Sequence, residues 1–375
     1  LYGNCQAGWA VTLLSADCTG LVGPVVLNGS PLSYWAGESG VNPMRLSGGL
    51  LGGSWLAHLT ADLGNGRFDG AWLAQNFENL KPEKAVWEKY AQLFTNVDSE
   101  QARFLEFERW WNGFYFLSRE EILAIVENLF IGNQLEQGLF QICQGCTADL
   151  RRIRNPIVIF ASYGDNITPP HQALGWIPAV YKDTEDLKQA GQRIVYLTNP
   201  EIEALAPGLY EMKIDNPSGD PDCHKPTYSI RFEPRQVEDL KTDYPQEAFE
   251  RVKQVSTFNE ALYRAFVSPW AQALSTPWTA QMLKWLHPMR TSRYLLSETF
   301  SPWMRGVALL AEPLGKNRQP LAPHHPLIER EREAAGEVTH ALGRLREGRD
   351  AASEQAFRLM FQNPVLFAGV LGMVG

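Results

Sequence analysis

Gly3-Asn4-Cys5-Gln6-Ala7-Gly8-Trp9, almost at the start of the chain, decides how the rest is read. Gly3 and Ala7 stand two positions either side of Cys5, the spacing a tight strand-to-helix elbow needs where neighbouring backbone passes close by. Trp9 to Leu14 are apolar and free of Gly and Pro, as in a helix running down from the turn. A helix N-terminus under the sulfur favours an anion, so the thiol pKa is expected to fall and the thiolate to be reactive. The plainer alternative is a small buried side chain, the common fate of a free cysteine. At most two residues precede Gly3, and the loop that gives such elbows a second oxyanion amide would lie earlier still. The chain is therefore expected to be a fragment whose N-terminal strands are missing.

Composition narrows the classes. The 375 residues are 45% hydrophobic and 20% charged, enough for one large α/β domain with insertions or for two domains. The net charge of −8 is unbroken by any dense Lys/Arg run, which argues against a nucleic-acid surface. Five cysteines are scattered through the chain, with no leader visible, so a reduced cytoplasmic setting is expected. Cys143 and Cys146 form a lone CxxC with no second Cys/His pair at zinc spacing; a hairpin turn around Gly145 is favoured over a metal or redox site. The apolar run from Pro364 to Gly375 is shorter than the roughly 20 residues a membrane span needs.

Further along, Leu21 to Leu27 reads as a buried parallel strand after the elbow helix. Gly37 to Gly53 reads as a Gly/Pro/Ser-rich excursion, and Gly64-Asn65-Gly66 as a turn. Lys81 to Gly132 has a helical pattern dense in aromatics, including Trp87, Tyr90, Phe107, Trp110, Trp111 and Tyr115. Core packing accounts for them, and so does a lid with an apolar underside for an acyl chain. Pro156 to Ser162 is the clearest buried strand. It ends in Tyr163-Gly164-Asp165-Asn166-Ile167-Thr168-Pro169-Pro170, which puts Asp165 where a triad acid sits beyond a strand's carboxyl end; a turn or N-cap role is the alternative. Ile194 to Leu197 is the next strand, and the triad histidine should follow it. The next histidine is His224, in a Pro/Gly-rich stretch. His171 is placed on a helix start pointing away, and His58, His287, His324, His325 and His340 fall outside the sheet loops.

With Asp165 placed, the chain resembles the DUF3141 family of α/β-hydrolase proteins related to poly(3-hydroxyalkanoate) synthases. The matching stretches run in order: Gly3 to Trp9, Gly29 to Gly37, Gly49 to Gly53, Ser162 to Pro170, Pro207 to Glu211 and Phe266 to Trp270. The resemblance implies a mostly parallel sheet with a helical lid insertion over about 38–150, all within 1–220, and a mainly helical C-terminal extension over 221–375. Pro217 to Pro226 is the expected boundary. It implies a Cys-Asp-His triad with Cys5 as nucleophile and Asp165 as acid, the Gln6 amide in the oxyanion hole, and no metal or cofactor. The family's histidine segment, like His-Pro-x-x-Gly-His-Leu-Gly, has no counterpart after Leu197 and is expected to be deleted.

Three activities follow as expectations. The first is acyl transfer from a coenzyme A-type thioester, with hydrolysis as its variant; self-association into a homo-oligomer stays open. The second is a non-catalytic scaffold or granule-surface binding protein. The third is a zinc or redox protein built on Cys143 and Cys146. The charge-rich helix from Glu329 to Arg349 is expected to be a solvated face.

Overall fold

The computed structural model describes residues 1–37, 44–95, 97–163, 165, 167–197, 208–215, 229–241, 246–290, 326–365 and 367–368. In chain order β1 (Tyr2–Asn4) turns at Cys5 into α1 (Ala7–Asp17), and β2 (Val25–Asn28) follows. Helices α2 (Met44–Leu50) and α3 (Trp55–Leu63) lead to the short strand β3 (Arg67–Asp69) and to α4 (Ala71–Glu78), α5 (Lys89–Thr95) and α6 (Val97–Trp111). Then come β4 (Phe116–Ser118), α7 (Arg119–Ile125) and the hairpin of β5 (Gln141–Cys143) and β6 (Cys146–Thr147). Strand β7 (Ile157–Phe160), helices α8 (Pro170–Leu174), α9 (Trp176–Val180) and α10 (Thr184–Gln189), and strands β8 (Arg193–Leu197), β9 (Gly208–Asp215) and β10 (Ser229–Arg235) complete the α/β part. Four helices close the described chain: α11 (Gln246–Leu262), α12 (Ser268–Leu274), α13 (Pro277–Leu286) and α14 (Pro326–Phe357).

One sheet runs in the order β1-β2-β7-β8-β9-β10, with β1 to β9 parallel and β10 antiparallel at the far edge. The central strands need no polar alternation because helices and loops cover the sheet. On one face Val25, Leu27, Ile157, Ile159 and Ile194 join the main core; on the other Val158 and Phe160 meet Val195 and Leu197. Leu27 and Ile159 are fully buried, and truncating either to alanine removes about 2–5 kcal/mol. The sheet strands read from sequence at Leu21 to Leu27, Pro156 to Ser162 and Ile194 to Leu197 are all present, trimmed at their ends. Strands β9 and β10 were not anticipated; they pair from Leu209↔Arg235 to Asp215↔Ser229.

The chain divides into two compact units: residues 1–54, 124–259 and 353–375, and residues 55–123 and 260–352. The first holds the six-stranded sheet. A run of rings, Trp35 to Phe249 at 5.3 Å, Phe249 to Phe357 at 5.1 Å and Phe357 to Phe361 at 5.1 Å, ties the end of α14 into that core. The second unit is helical apart from the β3–β4 ribbon, which the turn at Asn65 (φ +56°) and Gly66 (φ +78°) introduces. Inside it the Asp62 carboxylate accepts from Tyr263 Oη at 2.7 Å and Ser268 Oγ at 2.7 Å and pairs with Arg119 Nη1 at 3.2 Å.

Several expectations are revised in this second unit. The aromatics of Lys81 to Gly132 are not a closed core: Trp110 is 67% and Tyr115 83% exposed. The charged helix is not wholly a solvated face, because Arg346 meets Glu83 at 2.9 Å and Arg349 donates to the Asn79 carbonyl at 2.6 Å. The Gly37 to Gly53 excursion contains α2. The boundary expected at Pro217 to Pro226, and His224, His324 and His325, lie outside the described residues. Among the described residues no helix is long and apolar enough to cross a membrane.

Candidate active site at the carboxyl ends of the parallel strands

Parallel register puts the ends of neighbouring strands level. Asn4 pairs with Asn28, Asn28 with Phe160, and Phe160 with Leu197, so the residues after each meet along one crest. Cys5 follows β1 there. Its backbone is left-handed, φ +53°, a conformation that costs a side-chain-bearing residue on the order of 1–3 kcal/mol and persists only where surroundings enforce it.

The enforcement is visible. The Cys5 amide donates to the Asn28 carbonyl at 2.8 Å, and the Gly8 amide to the Cys5 carbonyl at 3.1 Å. A Cβ on Gly3 would stand 2.8 Å from Gly8 Cα, and one on Gly8 would overlap Ser30. Ser30 Oγ in turn donates to the Gly3 carbonyl at 3.0 Å. The requirement for small residues near Cys5 is met, with Gly8 a further close approach.

Asp165, beyond β7, is brought to the same crest. Its Oδ1 accepts from the amides of Ile167 at 2.8 Å and Thr168 at 3.1 Å, which fixes the carboxylate as part of a turn. Its Oδ2 lies where a Cβ on Gly29 would be 3.3 Å away, and its charge acts on the Cys5 sulfur. The turn role and the proximity to Cys5 therefore coexist in one side chain. Gln6 joins them, its backbone N–H donating toward the Cys5 sulfur.

The electrostatics correct one expectation. The Cys5 thiol is pushed up from the ordinary thiol range, first by burial and then by the Asp165 charge, with the Gln6 N–H opposing. The helix start does not win because a thiolate here loses its water shell and faces a carboxylate. Among the described residues no histidine is among the groups acting on Cys5. His171 lies on α8. Residues 198–207, where the family's histidine is expected, lie outside the described residues.

The sequence reading missed Tyr34, whose hydroxyl donates to Gln6 Oε1 at 3.0 Å, and behind it Asn133 and Glu136. Asn133 is fully buried with φ +49°. Its Oδ1 accepts from the Tyr34 amide at 2.8 Å and its Nδ2 donates to Glu136. The signal available in sequence was slight: a polar Tyr-Trp pair at Tyr34-Trp35 inside an otherwise small-residue loop.

Two other features stand apart from this crest. Cys143 and Cys146 are joined as a disulfide across the β5–β6 hairpin, whose turn residue Gly145 has φ +81°; the hairpin expected around Gly145 is present. A basin of ≈ 420 Å³ at the amino ends of β7 and β8 is lined by Arg151, Arg154 and Asp186. Arg151 already grips Asp186 through two bonds of 2.7 and 2.8 Å.

A parallel sheet flanked by helices, with a left-handed cysteine and an acid at its carboxyl crest, defines a mixed α/β protein with a strand-end site. Within that class the chain belongs to the DUF3141 family, described as "Protein of unknown function (DUF3141)", which it matches over residues 1–203 and again over 198–373. It is 40% identical over 403 residues to the "Uncharacterized protein in ackA 5'region" of Rhizobium meliloti, covering 98% of this chain and 55% of that protein. The chain thus spans about half the length of the curated relative it matches. The alignment is also longer than the chain's 375 residues, so the relative carries sequence with no counterpart here.

Proposed function

We propose that this is an α/β-hydrolase-fold protein of the poly(3-hydroxyalkanoate) synthase type, whose Cys5 takes acyl groups from coenzyme A-type thioesters. The observation that carries the reading is the enforced left-handed Cys5 at a strand-to-helix junction, with the Gln6 amide on its sulfur and Asp165 across from it. Once Cys5 gives up its proton, the thiolate adds to the thioester carbonyl and the π pair moves to oxygen beside the Gln6 N–H. Collapse of that oxyanion breaks the original C–S bond, releases the coenzyme A-type thiolate and leaves the acyl group on Cys5. A hydroxyl or water then takes the acyl group. Thiol-for-thiol exchange is nearly thermoneutral, which suits a group that must be passed onward.

In the complete family member the base is a histidine oriented by Asp165, in the loop after β8. Level strand ends support this, because Leu197 stands beside Phe160 and the loop after it borders the Asp165 turn. The two family matches adjoin at 198–203, directly after β8, and the relative's additional residues fit a segment removed there.

A second reading, a binding scaffold that keeps the fold without turnover, is favoured by the raised Cys5 thiol. One experiment separates the two. An acyl thioester is incubated with the chain and with a version in which the relative's segment after Leu197 is restored, and acyl-Cys5 is followed by intact mass. Turnover in the restored version that Cys5→Ser abolishes supports the enzyme, whereas absence of acyl-Cys5 in both sinks it.

A further inference from the structure

We propose that the Tyr34 hydroxyl is the second donor of the oxyanion site, joining the Gln6 amide when Cys5 attacks an acyl thioester. This rests on the reading of Cys5 as an acyl-carrying nucleophile and adds a catalytic residue to it. The geometry begins with Tyr34 Oη, which donates to Gln6 Oε1 at 3.0 Å and lies close enough to Cys5 that a charge on the sulfur acts on it. Gln6 is thus bracketed: its N–H faces the sulfur and its side chain holds the hydroxyl at the same spot.

Tyr34 is also held more firmly than a space-filling ring requires. Its N–H goes to Asn133 Oδ1 at 2.8 Å, its carbonyl receives Gln172 Nε2 at 2.9 Å, and its ring lies 5.1 Å from that of Phe130. The Gln172 carbonyl further accepts from the amides of Leu32 and Ser33, each at 3.0 Å. Asn133 sustains a left-handed backbone to make its contact, and such strain is characteristic of a site that is being aimed. Burial and the nearby Cys5 hold the Tyr34 hydroxyl well above the ordinary tyrosine range, so it keeps its proton and remains a donor.

In the step itself, the Sγ–C bond forms as the carbonyl π pair moves onto oxygen. The new oxyanion competes with Gln6 Oε1 for the Tyr34 proton donor and takes a second hydrogen bond from the Gln6 N–H. Collapse returns the pair to the carbonyl and expels the thiolate of the substrate. The Cys5 proton leaves earlier, to buffer or to the family's histidine.

The test needs no histidine, because thiol–thioester exchange at mildly alkaline pH proceeds from thiolate formed by buffer. The full chain is treated in parallel with S-acetyl-N-acetylcysteamine, which passes through an oxyanion, and with iodoacetamide, which does not; modification at Cys5 is read by peptide mass. Tyr34→Phe is expected to slow acylation on the order of 100-fold while alkylation stays within about twofold. Equal losses with both reagents, or no loss of acylation, overturn the proposal. Wild-type acylation no faster than that of a free cysteine derivative, after scaling by alkylation, overturns the nucleophile reading as well, which keeps the two failures apart. Should Tyr34→Phe unfold, difluorotyrosine at position 34 keeps the ring and strengthens the donor. The acylation-to-alkylation ratio should then rise severalfold, and an unmoved ratio overturns the proposal.

Discussion

Glu136→Gln gives the most quantitative test of how the crest is supported. The Glu136 carboxyl is pushed up to about 7, first by burial, against the opposing hydrogen bonds from Ser33 and Asn133. Its Oε2 is enclosed without a hydrogen-bond partner among the described residues. A folded-state value above the unfolded 4.5 means that the folded protein holds this proton more tightly. The resulting stability is fully present below about pH 4.5 and is lost as pH rises through 7. At about 1.36 kcal/mol per unit, this one group should withdraw roughly 2.5 kcal/mol between about pH 5 and pH 8. Glutamine keeps an acceptor for Asn133 and cannot ionise. Urea denaturation of wild type and Glu136→Gln at several pH values, with hydrogen exchange on peptides covering 126–136 to locate the transition, isolates the group. The variant's stability relative to wild type should climb by roughly 2.5 kcal/mol across that window. A difference that stays flat with pH would refute the account of a proton held by burial beneath Asn133.

Three further outcomes are expected. Iodoacetamide labelling of Cys5 should still be accelerating above about pH 9, and Asp165→Asn, which preserves the Oδ1 acceptor of its turn, should speed labelling by roughly threefold by removing the opposing charge; slower labelling in the variant would count against Asp165 acting on the sulfur. Gly8→Ala, whose Cβ would overlap Ser30, should cost about 1–3 kcal/mol in a thermal or urea melt, whereas Gly20→Ala, with open space around it, should not show that packing loss. Asp62→Ala should cost about 3–5 kcal/mol by stranding Arg119, Tyr263 and Ser268, read as faster limited proteolysis within 55–123.

Much of the sheet was legible because burial on both faces writes itself into the chain: Ile157-Val158-Ile159-Phe160 has no polar position to confuse with a helix face. Cys5 was legible for a different reason, since the left-handed turn excludes bulk at Gly3 and Gly8 and leaves a mark in the sequence. The thiol's electrostatics were not. They depend on Asp165, 160 positions away, and on how much water the fold removes, and neither quantity is local. Tyr34 and Glu136 escaped for the same reason, being joined through Asn133 across 99 positions of sequence. Strands β9 and β10 were hidden because residues such as Glu211 and Arg235 satisfy each other across the edge, so their polarity reads like a loop. The aromatic density before Gly132 was informative about composition and misleading about place, since ring count does not say which side of a helix faces water.

The level ends of β1, β2, β7 and β8 have a consequence for inheritance. Nucleophile and acid ride on strands whose spacing is set by backbone hydrogen bonds, while whatever follows Leu197 is attached to the sheet at a single strand end. A lineage can therefore exchange, mislay or reacquire that last component and leave the expensive turn at Cys5 intact. Descendants with and without turnover would then share one architecture, and the history of the family's chemistry would be recorded in a loop while its fold stood still.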